Sequence, residues 1–477
     1  MPSKSTLVWL PSSKIVFLRI GNLCSSVYTA LHMLLAARSV RAHLKNGVIA
    51  LLAVLASVTA TAADLTVGPE DYRVSLRSLQ PGDTLRLRAG VYTDGLPIGY
   101  LNGTQEAPIV ITGPNIGAPA IFLARRAHNT VSIVNSSYVT IRHLTLDGQS
   151  LPVDGVKAEG YSDWAHHIVL EDLVIKGHGY GQQTVAISTK CPAWEWVLRR
   201  NVILGAGTGI YLGDSDGTDP FFAGLIEHNL IVDTLGYNLQ IKHQNGRILQ
   251  ERPVTIIRHN MFSKAHNTSL PPKARPNVLV GHWPGNGPGA GDHYEIYGNL
   301  FYQNPHEALF QGEGNLALYN NLFVNEYGDA IHIQPHNDIP KTIDIFFNTV
   351  LARDKGIVIQ EAKGGATSFQ QNVGSNAVFA EVPLTGGSQM FNTVGSMSDA
   401  EKYLVQPHGR LGEFDLRPRQ GLLHGHLLDP SRPGRYGNWR RDFDGHHRNL
   451  TTRGAYGNDN SSPGWHPLLE RKPVTEP

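Results

Sequence analysis

Three residues in the middle of this chain can move a proton: Tyr211, Lys242 and His332. Three more suit binding. Arg247 can grip a carboxylate or sulfate, His282 offers a polar ring, and Trp283 offers a flat apolar face. A lysine serves as a base only where burial or nearby cations lower its pKa. Each has a plain alternative: Lys242 as a solvated side chain, His332 as a surface histidine, Trp283 as packing. These residues can cooperate only if the fold lines them up on one face.

The elements that would do so repeat along the sequence. Segments such as Leu198-Arg199-Arg200-Asn201-Val202-Ile203, Ile226-Glu227-His228-Asn229-Leu230-Ile231 and Ile257-Arg258-His259-Asn260-Met261-Phe262 share one pattern. Asn299, Asn321 and Asn348 occupy the same slot in further copies, and looser copies put His143, Asp172 and Asn372 there. Successive gaps are 29, 29, 28, 31, 39, 22, 27 and 24 residues, the range of a solenoid.

The residue types choose β over helix. Each copy is rich in Val, Ile, Leu, Phe and Tyr, followed by Gly, Asn or Asp and a second short strand. Gly209 to Gly213, Asn238 to Lys242 and Ala330 to Gln334 alternate with period two. Ile210, Leu212, Leu239, Ile241, Ile331 and Ile333 then point inward. Tyr211, Gln240, Lys242, His332 and Gln334 point outward. The expected fold is all-β, a right-handed parallel β-helix with three short strands per coil. Coils stack about 4.8 Å apart, so the slot asparagines should bond to one another in a structural ladder.

Composition agrees: 477 residues, 50 Gly, 29 Pro and 17% charged residues describe a turn-rich β protein. A net charge of +1 leaves no nucleic-acid-like basic field. Two cysteines, Cys24 and Cys191, make no disulfide framework. Arg38, Arg41 and Lys45 precede the apolar run Val48 to Val58, and Ala60-Thr61-Ala62 supplies small residues for cleavage. This order predicts an export segment with an upstream extension over 1–62, cleaved after Ala62, and a periplasmic or secreted product. The apolar run is too short for a comfortable membrane span, so the mature chain is expected to have none. The β-helix domain is expected over 63–386. An irregular segment, 387–477, should pack on it.

A family resemblance adds to this. Ser75 to Leu85, Gly90-Val91-Tyr92 and Ala107-Pro108-Ile109-Val110-Ile111-Thr112-Gly113 resemble the opening of secreted polysaccharide lyases of the chondroitinase B and alginate lyase family. Phe414 to Pro418, Asp442-Phe443-Asp444-Gly445 with Arg448, and Gly454-Ala455-Tyr456 are similar to the closing motif of many exported β-helix proteins. With the repeats, the likeness covers about residues 65–458. It implies a Lys base, an Arg, and a substrate carboxylate neutralised by calcium on acidic side chains. Lys242 matches the base. Asn238 and Gln240 stand where acidic calcium ligands would be expected, and Val278 to His282 where the family has an Arg before its His. The metal and cofactor requirement therefore stays open. Asp214-Ser215-Asp216-Gly217-Thr218-Asp219 has oxygen ligands at calcium-like spacing but lacks the distal Glu of an EF-hand, and a Gly/Asp turn accounts for it.

Elimination across a uronic acid needs a group to steady the carboxylate, a base for the C5 proton and an acid for the leaving oxygen. Lys242 is the expected base, Tyr211 or His332 the donor and Arg247 the anchor. Arg252 and Arg258 are further basic residues suited to anionic sugar. The expected partner is an acidic polysaccharide. The competing expectation is a non-catalytic β-helix that binds glycan or forms a surface structure. Paired acids for hydrolysis, such as Glu307 with Glu313 or Asp329 with Asp338, form no convincing pattern.

Overall fold

The computed structural model describes residues 62–247, 254–281, 283–336, 339–360, 371–431, 433–457 and 464–474. The predicted leader therefore lies outside the described residues, as do Arg252 and His282. Among the described residues, no helix is long and apolar enough to cross a membrane.

Short strands stack into three parallel sheets of 15, 11 and 12 strands, so the chain is a parallel β-helix. Each coil contributes one strand to each sheet in turn. In one coil Val197–Arg199 joins sheet I, Val202–Leu204 sheet II and Thr208–Leu212 sheet III. Alternation then places side chains without further instruction. Ile210, Leu239, Val278, Phe310 and Ile331 stack inward on sheet III, all fully buried. Phe262, Phe301 and Phe323 form a ring stack inside sheet II.

The corner between sheets I and II explains the asparagines. One residue there takes the left-handed conformation, including Arg200, His228, His259, Asn320 and Phe347. That conformation costs a non-glycine residue about 1–2 kcal/mol. The next residue offsets the cost. Asn229 Oδ1 accepts from the backbone N–H and the Nδ2 of Asn201, both at 3.0 Å, and Asn201 Nδ2 also donates to the Leu170 carbonyl at 2.9 Å. The same pattern runs through Asn260, Asn299, Asn321, Asn348, Asn376 and Asn392.

Register corrects three of the slots. His143 and Asp172 are themselves left-handed corner residues, one position early, so Leu144 and Leu173 fill the slot in their coils. Asn372 lies four positions early, on sheet I opposite Asp344, and Asn376 holds the slot. Leucine fills two of these slots, so the polar residue before it is read instead, and Asn372 precedes Val373 much as Asn376 precedes Ala377.

Parallel pairing continues past residue 386, through Ser388–Met390 and Thr393–Gly395. A short helix, Ala400–Tyr403, and an antiparallel ribbon, Leu404–Gln406 with Asp415–Pro418, follow. Phe414, Leu416, Phe443 and Tyr456 then cluster with Leu300, Leu322 and Leu351 of sheet II. Tyr436 and Trp439 pack on Tyr297, Tyr319 and Phe346 of sheet I. The C-terminal segment is thus seated on the outer faces of sheets I and II, while Tyr211 and His332 lie on sheet III and Lys242 directly follows one of its strands.

Candidate functional site

Sheet III brings Lys242 and Tyr211 together with a lysine that the sequence reading missed. Ile187, Ile210 and Leu239 are paired neighbours on successive strands. Three residues after each come Lys190, Gly213 and Lys242, so the two lysines share one column two rungs apart, about 9.6 Å by backbone spacing. Tyr211 stands on the rung between. Lys190 Nζ lies 3.5 Å from the centroid of the Tyr211 ring and Lys242 Nζ 5.4 Å. Gly213, left-handed at φ 85°, leaves the room between the lysines that a side chain would fill.

The two lysines differ in how they are held. Lys190 Nζ donates to the Gly213 carbonyl at 3.3 Å, and the Tyr211 ring stabilises its charge. Burial works the other way and pushes Lys190 down to about 8. Lys242 Nζ has no hydrogen bond or ion pair among the described residues. Burial lowers its pKa, Asp214 opposes this, and Arg275 adds to the lowering. Burial raises the Tyr211 hydroxyl, which shares a 3.1 Å hydrogen bond with Ser215 Oγ. The site therefore holds two lysines that burial biases toward the neutral form, Lys190 the more strongly, and a phenol that keeps its proton.

The other sequence-read residues lie elsewhere. His332 is on sheet III, but its strand is three rungs beyond that of Gln240, about 14 Å away. Its Nε2 lies 2.7 Å from the Asp329 carboxylate. It cannot protonate a bond on which Lys242 acts. Arg247 is buried against Asp292, which it pairs through both terminal nitrogens, and its guanidinium lies 4.1 Å over the Phe222 ring. It braces the loop and does not face a ligand. Trp283 is 1% exposed and stacks on Tyr294 at 4.5 Å, so it belongs to the core. Arg258 is half-buried and bonded to Glu227 and Tyr297 on sheet I. Glu227 there follows Arg199 and Glu171 in a column of alternating charge.

The residues do not fit a calcium site of the kind the resemblance implies. Gln240 and Asn238 are buried amides, and Asn238 Nδ2 is bonded to Thr234 Oγ1. Among the described residues, no group of three or more His, Cys, Asp or Glu is arranged to hold a metal. In the 214–219 turn, Asp216 Oδ1 accepts from the backbone and hydroxyl of Thr218, as an Asx turn does. No step below is routed through a metal.

No protein-family model matches the chain, and no curated protein matches it in sequence. Three solved structures are similar to it in part. An alginate lyase from Paenibacillus sp. str. FPU-7 is 14% identical with a TM-score of 0.39, over 70% of this chain and 98% of that one. The PL6 family alginate lyase AlyGC is 13% identical with a TM-score of 0.48; the match covers 86% of this chain and 58% of AlyGC. A GH136 lacto-N-biosidase from Eubacterium ramulus is 12% identical with a TM-score of 0.45, over 70% of this chain and 68% of that one. None of these carries an argument about chemistry. The β-helix rests on the chain's own strand pairing, and one architecture hosts many reactions.

Proposed function

We propose that the protein is an exported carbohydrate-active β-helix, a lyase that cleaves an acidic polysaccharide by β-elimination at Lys190, Tyr211 and Lys242. The single observation behind this is the pair of ammonium groups flanking one tyrosine on adjacent rungs of sheet III. The order of residues 38–63 agrees with the export part of this reading.

The roles follow from how each group is held. Lys190, placed by the Gly213 carbonyl and the Tyr211 ring, pairs in its ammonium form with the uronate carboxylate and so makes the adjacent C5 proton more acidic. Lys242 in its neutral form takes that proton and becomes an ammonium. The electron pair forms the C4–C5 double bond, the C4–oxygen bond breaks, and Tyr211 donates its proton to the departing oxygen. The phenolate regains a proton from solvent. Removing a positioned base costs roughly 100- to 10,000-fold in rate. Lys242→Ala should nearly abolish formation of the ultraviolet-absorbing unsaturated product from uronic-acid polymers while leaving the circular dichroism unchanged. Activity within about threefold of wild type would reject Lys242 as base. Lys190→Met should raise KM and lower kcat together.

A second reading, a non-catalytic glycan-binding protein, draws on the dispersal of His332, Arg247 and Trp283 away from Lys242. Binding of acidic polymers with no product from any of them would favour it.

A further inference from the structure

The outer face of sheet III does not end at the lysines. Tyr211, Ser188, Lys157, Ser132 and Pro97 are paired neighbours running toward the N-terminal end. At that end a cavity of about 410 Å³ opens beside Ser132 and Pro97. Arg73, Arg125, His128, Asn129, Glu159 and Tyr161 line it. Arg73 projects from the capping helix Tyr72–Leu76 and spends one N–H on the Asp94 carbonyl at 3.3 Å. Neither Arg73 nor Arg125 has an ion pair among the described residues. This sets them apart from sheet I, where Arg142, Arg199, Arg200 and Arg258 all have carboxylate partners. Glu159 is buried, holds Asn129 Nδ2 at 2.7 Å and is likewise outside any ion pair among the described residues. Tyr161, which also lines the cavity, is 74% exposed.

We propose that this cavity is a distal sugar-binding subsite for the same acidic chain, an inference that rests on the reading of sheet III as a uronate-binding face. Two guanidiniums take a uronate carboxylate, which matches their planar donor geometry. Glu159 accepts hydrogen bonds from sugar hydroxyls, and the Tyr161 ring covers a pyranose face. The volume falls within the usual range for a small-molecule pocket. Register then sets the ligand's length. Ser132 and Tyr211 are three rungs apart, about 14 Å, and one rung is close to the advance of one sugar in an extended chain. A trimer seated at Tyr211 reaches the rung of Glu159 and stops short of Arg73 and Arg125, while a hexamer reaches them. Lys157 lies on the path between them, 3.4 Å from Asp154.

The test is calorimetric titration of the Lys242→Ala protein, which removes turnover, with trimers and hexamers from polymannuronate, polyguluronate and polygalacturonate. Arg73→Ala with Arg125→Ala should weaken the best hexamer at least about tenfold and the matching trimer less than about twofold. Arg125→Lys alone, which keeps the charge but not the planar fork, should retain only part of the hexamer affinity, and unchanged thermal melting of each variant separates lost contacts from misfolding. Equal weakening of both lengths, undiminished hexamer binding, or no hexamer binding at all would overturn the proposal. Product formation by the wild type, with hexamer affinity indifferent to both arginines, removes the subsite and spares the lyase. Length-dependent binding that needs the arginines, with no product, keeps the subsite and removes the lyase.

Discussion

Asn299→Ala tests the physical account of the fold most directly. Asn299 is fully buried in the middle of the ladder. Its Oδ1 accepts from the Asn260 backbone N–H at 2.9 Å and from Asn260 Nδ2 at 3.0 Å. Its Nδ2 donates to the Ile257 carbonyl at 2.8 Å, to Asn321 Oδ1 at 3.0 Å and to the Tyr297 carbonyl at 3.1 Å. Alanine removes all five. Asn260 Nδ2 keeps the Ile226 carbonyl and Asn321 Oδ1 keeps the Asn299 backbone N–H, so these two are only weakened. The Asn260 backbone N–H is left buried without its acceptor, which costs about 1–3 kcal/mol, and the remaining bonds add about 0.5–1.5 kcal/mol each. The expected loss is about 3–5 kcal/mol. Asn392 is the control. It makes the three bonds that face the preceding rung, accepting twice from Asn376 and donating to the Val373 carbonyl, and it is half-buried, so water can replace it, and Asn392→Ala should cost about 1 kcal/mol. Urea unfolding gives the totals. Amide exchange at Asn260 gives the local effect even if the stacked coils do not unfold in one step. A loss below about 1 kcal/mol for Asn299→Ala, or equal losses at both positions, would refute the ladder as the source of corner stability.

Two further outcomes follow from buried groups. Burial holds the His259 imidazole well below its ordinary value, so it is neutral in the folded state and gains a proton on unfolding once pH falls below about 6.5. Stability should therefore fall as pH drops through that value, and His259→Gln should flatten the curve of melting temperature against pH between 7 and 5; an unchanged slope would exclude His259 as a contributor. Cys191 is 1% exposed and burial pushes its thiol up to about 12, so with Cys24→Ser in place the folded protein should not react with a thiol reagent until denaturant unfolds it.

The sequence alone determined the architecture, because strand alternation and the asparagine repeat are local properties. A residue's parity along its strand decides which face of the sheet it takes, and Ile210, Tyr211, Leu239 and Ile241 obey that parity, while burial of the outward Gln240 depends on what covers it. It also put Lys242 and Tyr211 on one face. What it did not determine is which coil lies beside which position of the next, since inserted loops change the count between strands without changing register. Asn372 was read for Asn376 because both precede short apolar runs, and His143 and Asp172 were read one residue early because leucine follows each in the slot. Lys190 was missed although it repeats the offset of Lys242 from an inward residue, because glycine at 213 interrupts the column between them. Arg247, Trp283 and His332 were legible as chemical types. Whether a guanidinium is spent on Asp292, a ring on Tyr294, or a histidine lies about 14 Å from its supposed partner is a property of packing between coils. Only the tertiary structure decides it, since those contacts join residues that no local pattern connects.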